Sequence, residues 1–208
     1  MKHFMKKIFT LLFIAVITIA ANAQDFKSDI ANARTNYTGG KLSDAHFNIE
    51  QAMQELDLIV GKEVLKILPA KMDTLNVNTT DDHVTGNSGF LGANIHRSYG
   101  NLMAMNGGGK TAEISIVTNS PLISSLNSFL NMPLLGGMMN NDKSKSIKVQ
   151  GYKGRLEKSD GMNGQADYTI EVPLSNTLIT FKITNTTDTE ILNLVNTIPL
   201  SQIAKLLQ

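Results

Sequence analysis

The first third of the chain spaces its hydrophobic residues as an amphipathic helix does. After residue 43 they recur at intervals of three and four positions, so they fall on one stripe of a helix. This stripe consists of Ala45, Ile49, Ala52, Met53, Leu56 and Ile59. A shorter helical segment containing Ala31, Ala33 and Tyr37 precedes it. Together the two segments predict a helical hairpin over residues 24–68.

Glycine, serine and proline mark the expected ends of these helices. Gly39 and Gly40 should end the first helix, because glycine accepts the left-handed conformation at a C-cap. Ser43 is the expected N-cap of the second helix. Gly61 is expected to bend or break that helix. Pro69 should end it, because proline lacks a backbone N–H donor.

From residue 69 onward, short runs alternate hydrophobic and polar residues, with Gly, Asn, Asp and Ser between the runs. This alternation is typical of strands that have one covered and one wetter face. The hydrophobic sets are Leu75 and Val77; Ala93, Ile95 and Tyr99; Ala112, Ile114 and Ile116; Ile147 and Val149; Tyr168, Ile170 and Val172; and Ile179, Phe181 and Ile183. Arg97 shares the face of Ile95, opposite His96 and Ser98. The pattern predicts a mostly antiparallel sheet.

Three further helices are indicated by capping residues and apolar spacing. Ser120 and Pro121 should begin one helix, Thr187 or Asp188 a second, and Pro199 a short third. Their apolar faces are Leu122, Leu126, Phe129 and Leu130; Ile191, Leu192 and Val195; and Ile203, Leu206 and Leu207. The predicted fold class is α+β: an N-terminal helical hairpin, then a mostly antiparallel sheet over residues 69–208 with helices covering one face.

The first 23 residues have the pattern of a secretory signal peptide. Lys2, Lys6 and Lys7 form a basic start, an uncharged apolar run follows over residues 8–21, and the motif Ala21-Asn22-Ala23 closes it. The apolar run is too short for a membrane-spanning helix, which needs about 20 residues. We therefore expect cleavage after Ala23 and export of a soluble chain to the periplasm or the medium.

Two resemblances to known proteins follow from short motifs. Gly40-Lys41-Leu42-x-x-Ala45-x-x-x-Ile49-x-x-Ala52-Met53 resembles the second half of a tetratricopeptide-type helical hairpin, and the similarity covers residues 31–53. It implies small residues where the two helices touch. No second copy follows near 34 residues later, so the concave peptide groove of such repeat arrays is not expected.

Scattered motifs over the rest of the chain resemble uncharacterised exported (periplasmic) proteins of Gram-negative bacteria. These motifs are Leu68-Pro69-Ala70, Ser98-Tyr99, Ala112-Glu113-Ile114-Ser115-Ile116, Asn119-Ser120-Pro121-Leu122-Ile123 and Asn131-Met132-Pro133-Leu134-Leu135. The resemblance implies a compartment and transfers no catalytic residue.

The charge balance and the absence of cysteine limit which ligands and which chemical reactions we expect. The 208 residues include 19 basic and 18 acidic side chains and no cysteine. Without the signal peptide the balance is 16 basic to 18 acidic, a net charge of −2, which argues against nucleic acid and anionic membranes as partners. The absence of cysteine excludes disulfides, thiolate metal sites and thiol catalysis.

No motif assembles a catalytic, cofactor or metal site. Gly107-Gly108-Gly109-Lys110-Thr111 lacks the first glycine of a phosphate loop and precedes a strand pattern, so a hairpin turn explains it. Asp81-Asp82-His83 has possible metal ligands but is interpreted as a solvated charged loop. No G-x-S-x-G motif is present, and no two carboxylates stand out as a glycosidase pair.

A methionine-rich stretch offers a candidate interaction loop. It comprises Met132, Pro133, Leu134, Leu135, Met138 and Met139. The thioethers could form an adaptable apolar surface, bind Cu(I), or fill gaps in the core. We expect a non-enzymatic binding module whose partner is another envelope protein or an apolar ligand. The alternatives are an envelope hydrolase with a site not visible in sequence, and methionine-based Cu(I) handling.

Overall fold

The computed structural model describes residues 25–87, 91–101, 109–121, 123, 142–161 and 164–207. The chain divides into two compact units, one up to Ile59 and the other from Val60 onward. The first unit contains helix α1, residues 25–38, and the first part of helix α2, Leu42–Ile67. The second unit contains the end of α2, a sheet and two C-terminal helices.

The sheet has eight strands, and every pair of neighbours is antiparallel. The strands are β1 (Lys71–Met72), β2 (Leu75–Thr85), β3 (Ala93–Tyr99), β4 (Ala112–Thr118), β5 (Ser144–Val149), β6 (Tyr152–Asp160), β7 (Ala166–Leu174) and β8 (Thr177–Thr186). Their order across the sheet is β1-β2-β3-β4-β8-β7-β6-β5, so β4 pairs with the last strand rather than the next.

One face of the sheet carries the hydrophobic core of the second unit. The alternating residues predicted to share a face are buried together, among them Ile114, Ile170 and Phe181. Helices α3 (Asp188–Val195) and α4 (Leu200–Leu207) contribute apolar residues to the same core, as does the end of α2. The predicted α+β fold, with a helical hairpin before the sheet and helices on one face, is confirmed.

The helical hairpin differs from the prediction at two positions. α1 ends at residue 38 as expected, and Gly40 has the left-handed φ of 75°. α2, however, begins at Leu42, so Ser43 lies in its first turn and not at the N-cap. α2 also continues without interruption through Gly61. There a side-chain methyl would collide with Val84, so the glycine permits close approach of helix and sheet.

The C-terminal helices begin at the predicted caps. The Thr187 side chain accepts a hydrogen bond from the Glu190 backbone N–H at 3.2 Å, and α4 follows directly after Pro199. The helix predicted from Ser120 lies mostly outside the described residues, although Pro121 and Ile123 are helical. Residues Asn106, Gly107 and Gly108 of the predicted hairpin turn also lie outside them.

Candidate functional site

The apolar stripe of the hairpin divides into buried small residues and exposed large ones. Ala45 and Ala52 are buried, as is Ala33 of α1. Large hydrophobic side chains on the hairpin are instead 46–69% exposed: Ile30, Tyr37, Leu42, Phe47, Ile49, Met53 and Leu56. Elsewhere in the described chain, only Leu91 and Leu206 are comparably exposed large hydrophobics. Such a concentration is typical of an interaction surface, whereas single exposed hydrophobics are ordinary.

These side chains lie on an acidic segment. Residues 25–59 contain six carboxylates and three basic side chains, a net charge of −3. Burial, together with the charges of Asp29 and Asp25, raises the pKa of Glu55. The exposed apolar residues of the hairpin therefore lie among side chains whose net charge is negative.

A large irregularity between β2 and β3 shapes the polar face of the sheet. Asn78 pairs with Ser98 and His83 with His96, so four residues of β2 lie opposite Arg97 alone. Asp81 and Asp82 are consecutive residues of this stretch, so their carboxylates make contacts on opposite sides of the sheet. Asp82 forms an ion pair with Arg97, which lies on the core face beside Ile95 and Tyr99. Asp81 instead contacts His96 on the polar face, with Asp81 Oδ2 at 3.2 Å from His96 Nε2.

The solvated loop expected at Asp81-Asp82-His83 is therefore wrong. All three residues belong to β2, and Asp82 is largely buried with Arg97. His83, far from His96 in the sequence, lies opposite it across the two strands, with ring centroids 5.9 Å apart. Alternation along β3 placed His96 on the polar face, but no sequence signal revealed the bulge that brings Asp81 to it.

A pocket of about 60 Å³ opens on this face. It is lined by Asp81, His96, Ser98, Thr111, Ala112, Glu113, Lys182 and Thr184. The Ser98 hydroxyl is the main cause of the lowered pKa of Asp81; burial opposes this shift, and His96 adds to it. Ser98 Oγ is nevertheless buried without a hydrogen bond of regular geometry in the described part of the chain. Sequence reasoning did not identify this pocket.

The arrangement does not match common catalytic or metal sites. Asp81 lies between Ser98 and His96, whereas a serine triad needs the histidine between serine and carboxylate. Among the described residues, no group of three His, Cys, Asp or Glu side chains is placed to hold a metal ion. The neighbouring carboxylates Glu157 and Glu171 both contact Arg155, so each has a cationic partner and they do not form a free acid–base pair.

The structure describes only some of the other candidate residues from the sequence. The candidate interaction loop, Met132, Pro133, Leu134, Leu135, Met138 and Met139, lies outside the described residues. Lys110, from the glycine-rich segment, forms an ion pair with Glu190, and the strand expected after it is β4. Burial opposes ionisation of Glu190, but Lys110 and Thr186 hold its pKa below the ordinary value.

Comparison with known proteins assigns this chain to no family. No protein-family model matches the chain, and no curated protein matches it significantly. Within the described ranges, no helix is both long enough and apolar enough to cross a membrane.

Proposed function

We propose that this chain is an exported, non-enzymatic binding module that docks another envelope protein through its helical hairpin. The observation that carries the proposal is the set of seven large hydrophobic side chains exposed between Ile30 and Leu56. Burying apolar surface stabilises a complex by about 25 cal/mol per Å², so a partner that covers these residues gains affinity. Export rests on the signal-peptide pattern of residues 1–23.

The negative charge of the hairpin indicates the surface charge of the partner. With a net charge of −3 over residues 25–59, the hairpin attracts a basic surface and repels an acidic one. The partner is therefore a protein segment with an apolar stripe flanked by Lys or Arg. Since part of the attraction is between exposed charges, added salt weakens it.

The test compares three forms of the chain from Gln24 onward as bait in an envelope extract. They are the wild type, the double variant Phe47→Ser and Met53→Ser, and the control Leu91→Ser. Leu91 is as exposed as the hairpin residues, at 68%, but lies outside the hairpin. We expect the wild type and the control to enrich the same basic protein, and the double variant to lose it.

The captured protein is then purified and titrated against each bait. We expect the double variant to bind at least about tenfold more weakly, a loss of roughly 1.4 kcal/mol, and the wild type to bind more weakly in high salt. Equal binding by all three baits contradicts the proposal. Hairpin-dependent self-association in light scattering also contradicts it, because a second copy would then be the occupant.

A further inference from the structure

The pocket on the polar sheet face carries opposite charges at its two ends. Asp81, in the bulge of β2, lies at one end, and Lys182 of β8 lies at the other. Ser98, Glu113 and Lys182 form one row across β3, β4 and β8, since each is the register partner of the next. Neighbouring strands lie about 4.8 Å apart, so the row spans roughly 10 Å.

The groups at the Asp81 end are suited to a hydrogen-bond donor with positive charge. Asp81 carries a negative charge at neutral pH, since its pKa lies below the ordinary aspartate value of 3.8. The buried Ser98 Oγ lies next to this carboxylate and has no hydrogen bond of regular geometry among the described residues, so its oxygen can accept a further donor. A ligand ammonium placed here would donate to both oxygens.

The other end is suited to an acceptor with negative charge. Lys182 lines the pocket there, opposite Glu113 in the strand register, and forms no ion pair within 4.0 Å among the described residues. Thr184 lies beside it and shares a 3.1 Å hydroxyl contact with Thr111. A carboxylate at this end would accept from the Lys182 ammonium. A purely anionic ligand would be repelled by Asp81 and Glu113, and a purely cationic one by Lys182.

Size restricts the ligand further. A volume of about 60 Å³, at about 10–15 Å³ for each enclosed water, holds roughly four to six water molecules, which matches a ligand of about five non-hydrogen atoms. In an α-amino acid, two bonds of about 1.5 Å separate the nitrogen from the carboxylate carbon. With a hydrogen bond of about 2.8 Å at each end, such a ligand bridges most of the row.

We propose that this pocket binds a small zwitterion with adjacent ammonium and carboxylate groups, the chemistry of a free α-amino acid. Asp81 and Ser98 hold the ammonium, and Lys182 holds the carboxylate. The proposal is independent of the hairpin surface, because it rests on residues of the sheet alone.

The test is an NMR titration of the chain from Gln24 onward with glycine, ethylamine and acetate at constant pH. Glycine carries both charges, whereas ethylamine and acetate carry one each. We expect glycine to give saturable shifts of the Ser98, Glu113 and Lys182 amides, with a Kd in the roughly millimolar range. Each single-charge analogue should bind at least about tenfold more weakly.

Variants separate binding from folding. Asp81→Asn and Lys182→Met should each weaken glycine binding about tenfold or more, whereas Lys148→Met, a control on the distant edge strand β5, should not. Lys182→Met leaves the contacts among Asp81, Ser98 and His96 in place, so its result stands even if Asp81→Asn is unstable. The proposal is overturned if glycine causes no saturable shift, if an analogue binds equally well, or if Lys182→Met binds like the wild type.

Discussion

Arg97 and Asp82 form a bidentate ion pair on the core face of the sheet. Arg97 Nε donates to Asp82 Oδ1 at 2.9 Å, and Arg97 Nη2 donates to Asp82 Oδ2 at 2.5 Å. Arg97 Nη1 donates to the Leu68 carbonyl, just beyond the end of α2, at 3.2 Å. Asp82 is also the main cause of the raised pKa of Arg97. One buried side chain therefore joins β2, β3 and the end of a helix.

Removing one partner of this pair should destabilise the chain strongly. Asp82→Asn leaves the Arg97 guanidinium buried without its counter-charge, which costs about 3–5 kcal/mol of unfolding free energy. Urea unfolding at pH 7 measures the loss. The double variant Asp82→Leu and Arg97→Met should recover most of it, because no buried charge is left unpaired.

A more exposed ion pair provides the control. Arg155 contacts Glu157 at 3.3 Å and Glu171 at 3.0 Å, with a quarter of its side chain exposed. Arg155→Met should therefore cost only about 1 kcal/mol. If Asp82→Asn costs no more than this control, the pair does not have the structural role argued for it.

The same residues show what the sequence could and could not predict. Period-two alternation placed Arg97 on the face of Ile95 and Tyr99, and that placement is correct. Its partner Asp82 was not predictable. Hydrophobic pattern and turn geometry give the register only of a regular pair of strands. A bulge of four residues breaks that register between Asn78 and His83. The sheet was therefore predictable, whereas the contacts of Asp81 and Asp82 were not.

Gly61→Ala should destabilise the second unit although alanine is the better helix former. The new methyl group would collide with Val84 and lie 3.2 Å from Ile95 Cγ1. Overpacking costs about 1–3 kcal/mol, which outweighs the gain in helix propensity of about 1 kcal/mol. Thermal unfolding measures the change. Adding Val84→Ala should restore part of the stability, and the exposed neighbour Lys62→Ala should have little effect.

The hairpin should respond differently at its small and large apolar positions. Ala52 is 1% exposed and Ile49 is 48% exposed. Ala52→Leu should cost about 1–3 kcal/mol by overpacking, whereas Ile49→Ser should cost about 0.5 kcal/mol or less. Urea unfolding followed by helical circular dichroism tests both. A larger loss for Ile49→Ser would mean that Ile49 is covered in solution.

The periodicity of the hairpin explains why its surface was only partly predictable. Three- and four-residue spacing identifies which residues share a stripe, including Ala45, Ile49 and Ala52. It does not say which part of the stripe a neighbouring helix covers. Small residues allow close approach, so the alanines are buried while the larger side chains stay exposed. The exposed apolar residues could thus be found only once the helices were positioned.

Asp81 should make a pH-dependent contribution to stability. Its pKa is lowered in the folded chain, mainly by the Ser98 hydroxyl. A depressed carboxylate pKa stabilises the folded state above the unfolded pKa, and this stability is lost as pH falls through the folded pKa. Asp81→Asn should therefore lower Tm at pH 7, by no more than about 3 °C because Asp81 is partly exposed. The difference from the wild type should shrink as pH falls below 3.8. A difference that stays constant from pH 7 to pH 2.5 contradicts this assignment.

The signal-peptide pattern predicts both export and cleavage after Ala23. Ala21 and Ala23 supply the two small side chains that a signal peptidase accepts before its cleavage site. Expression in a Gram-negative host should yield a periplasmic or secreted chain whose intact mass and N-terminal peptide start at Gln24. Ala23→Phe should block this cleavage and leave a longer, membrane-associated form, because a bulky ring does not fit where a small residue is required. Ala31→Phe is the matched control, since it makes the same exchange at an exposed helical position beyond the cleavage site. A chain that retains Met1 and stays in the cytoplasm would contradict both the export and the envelope partner.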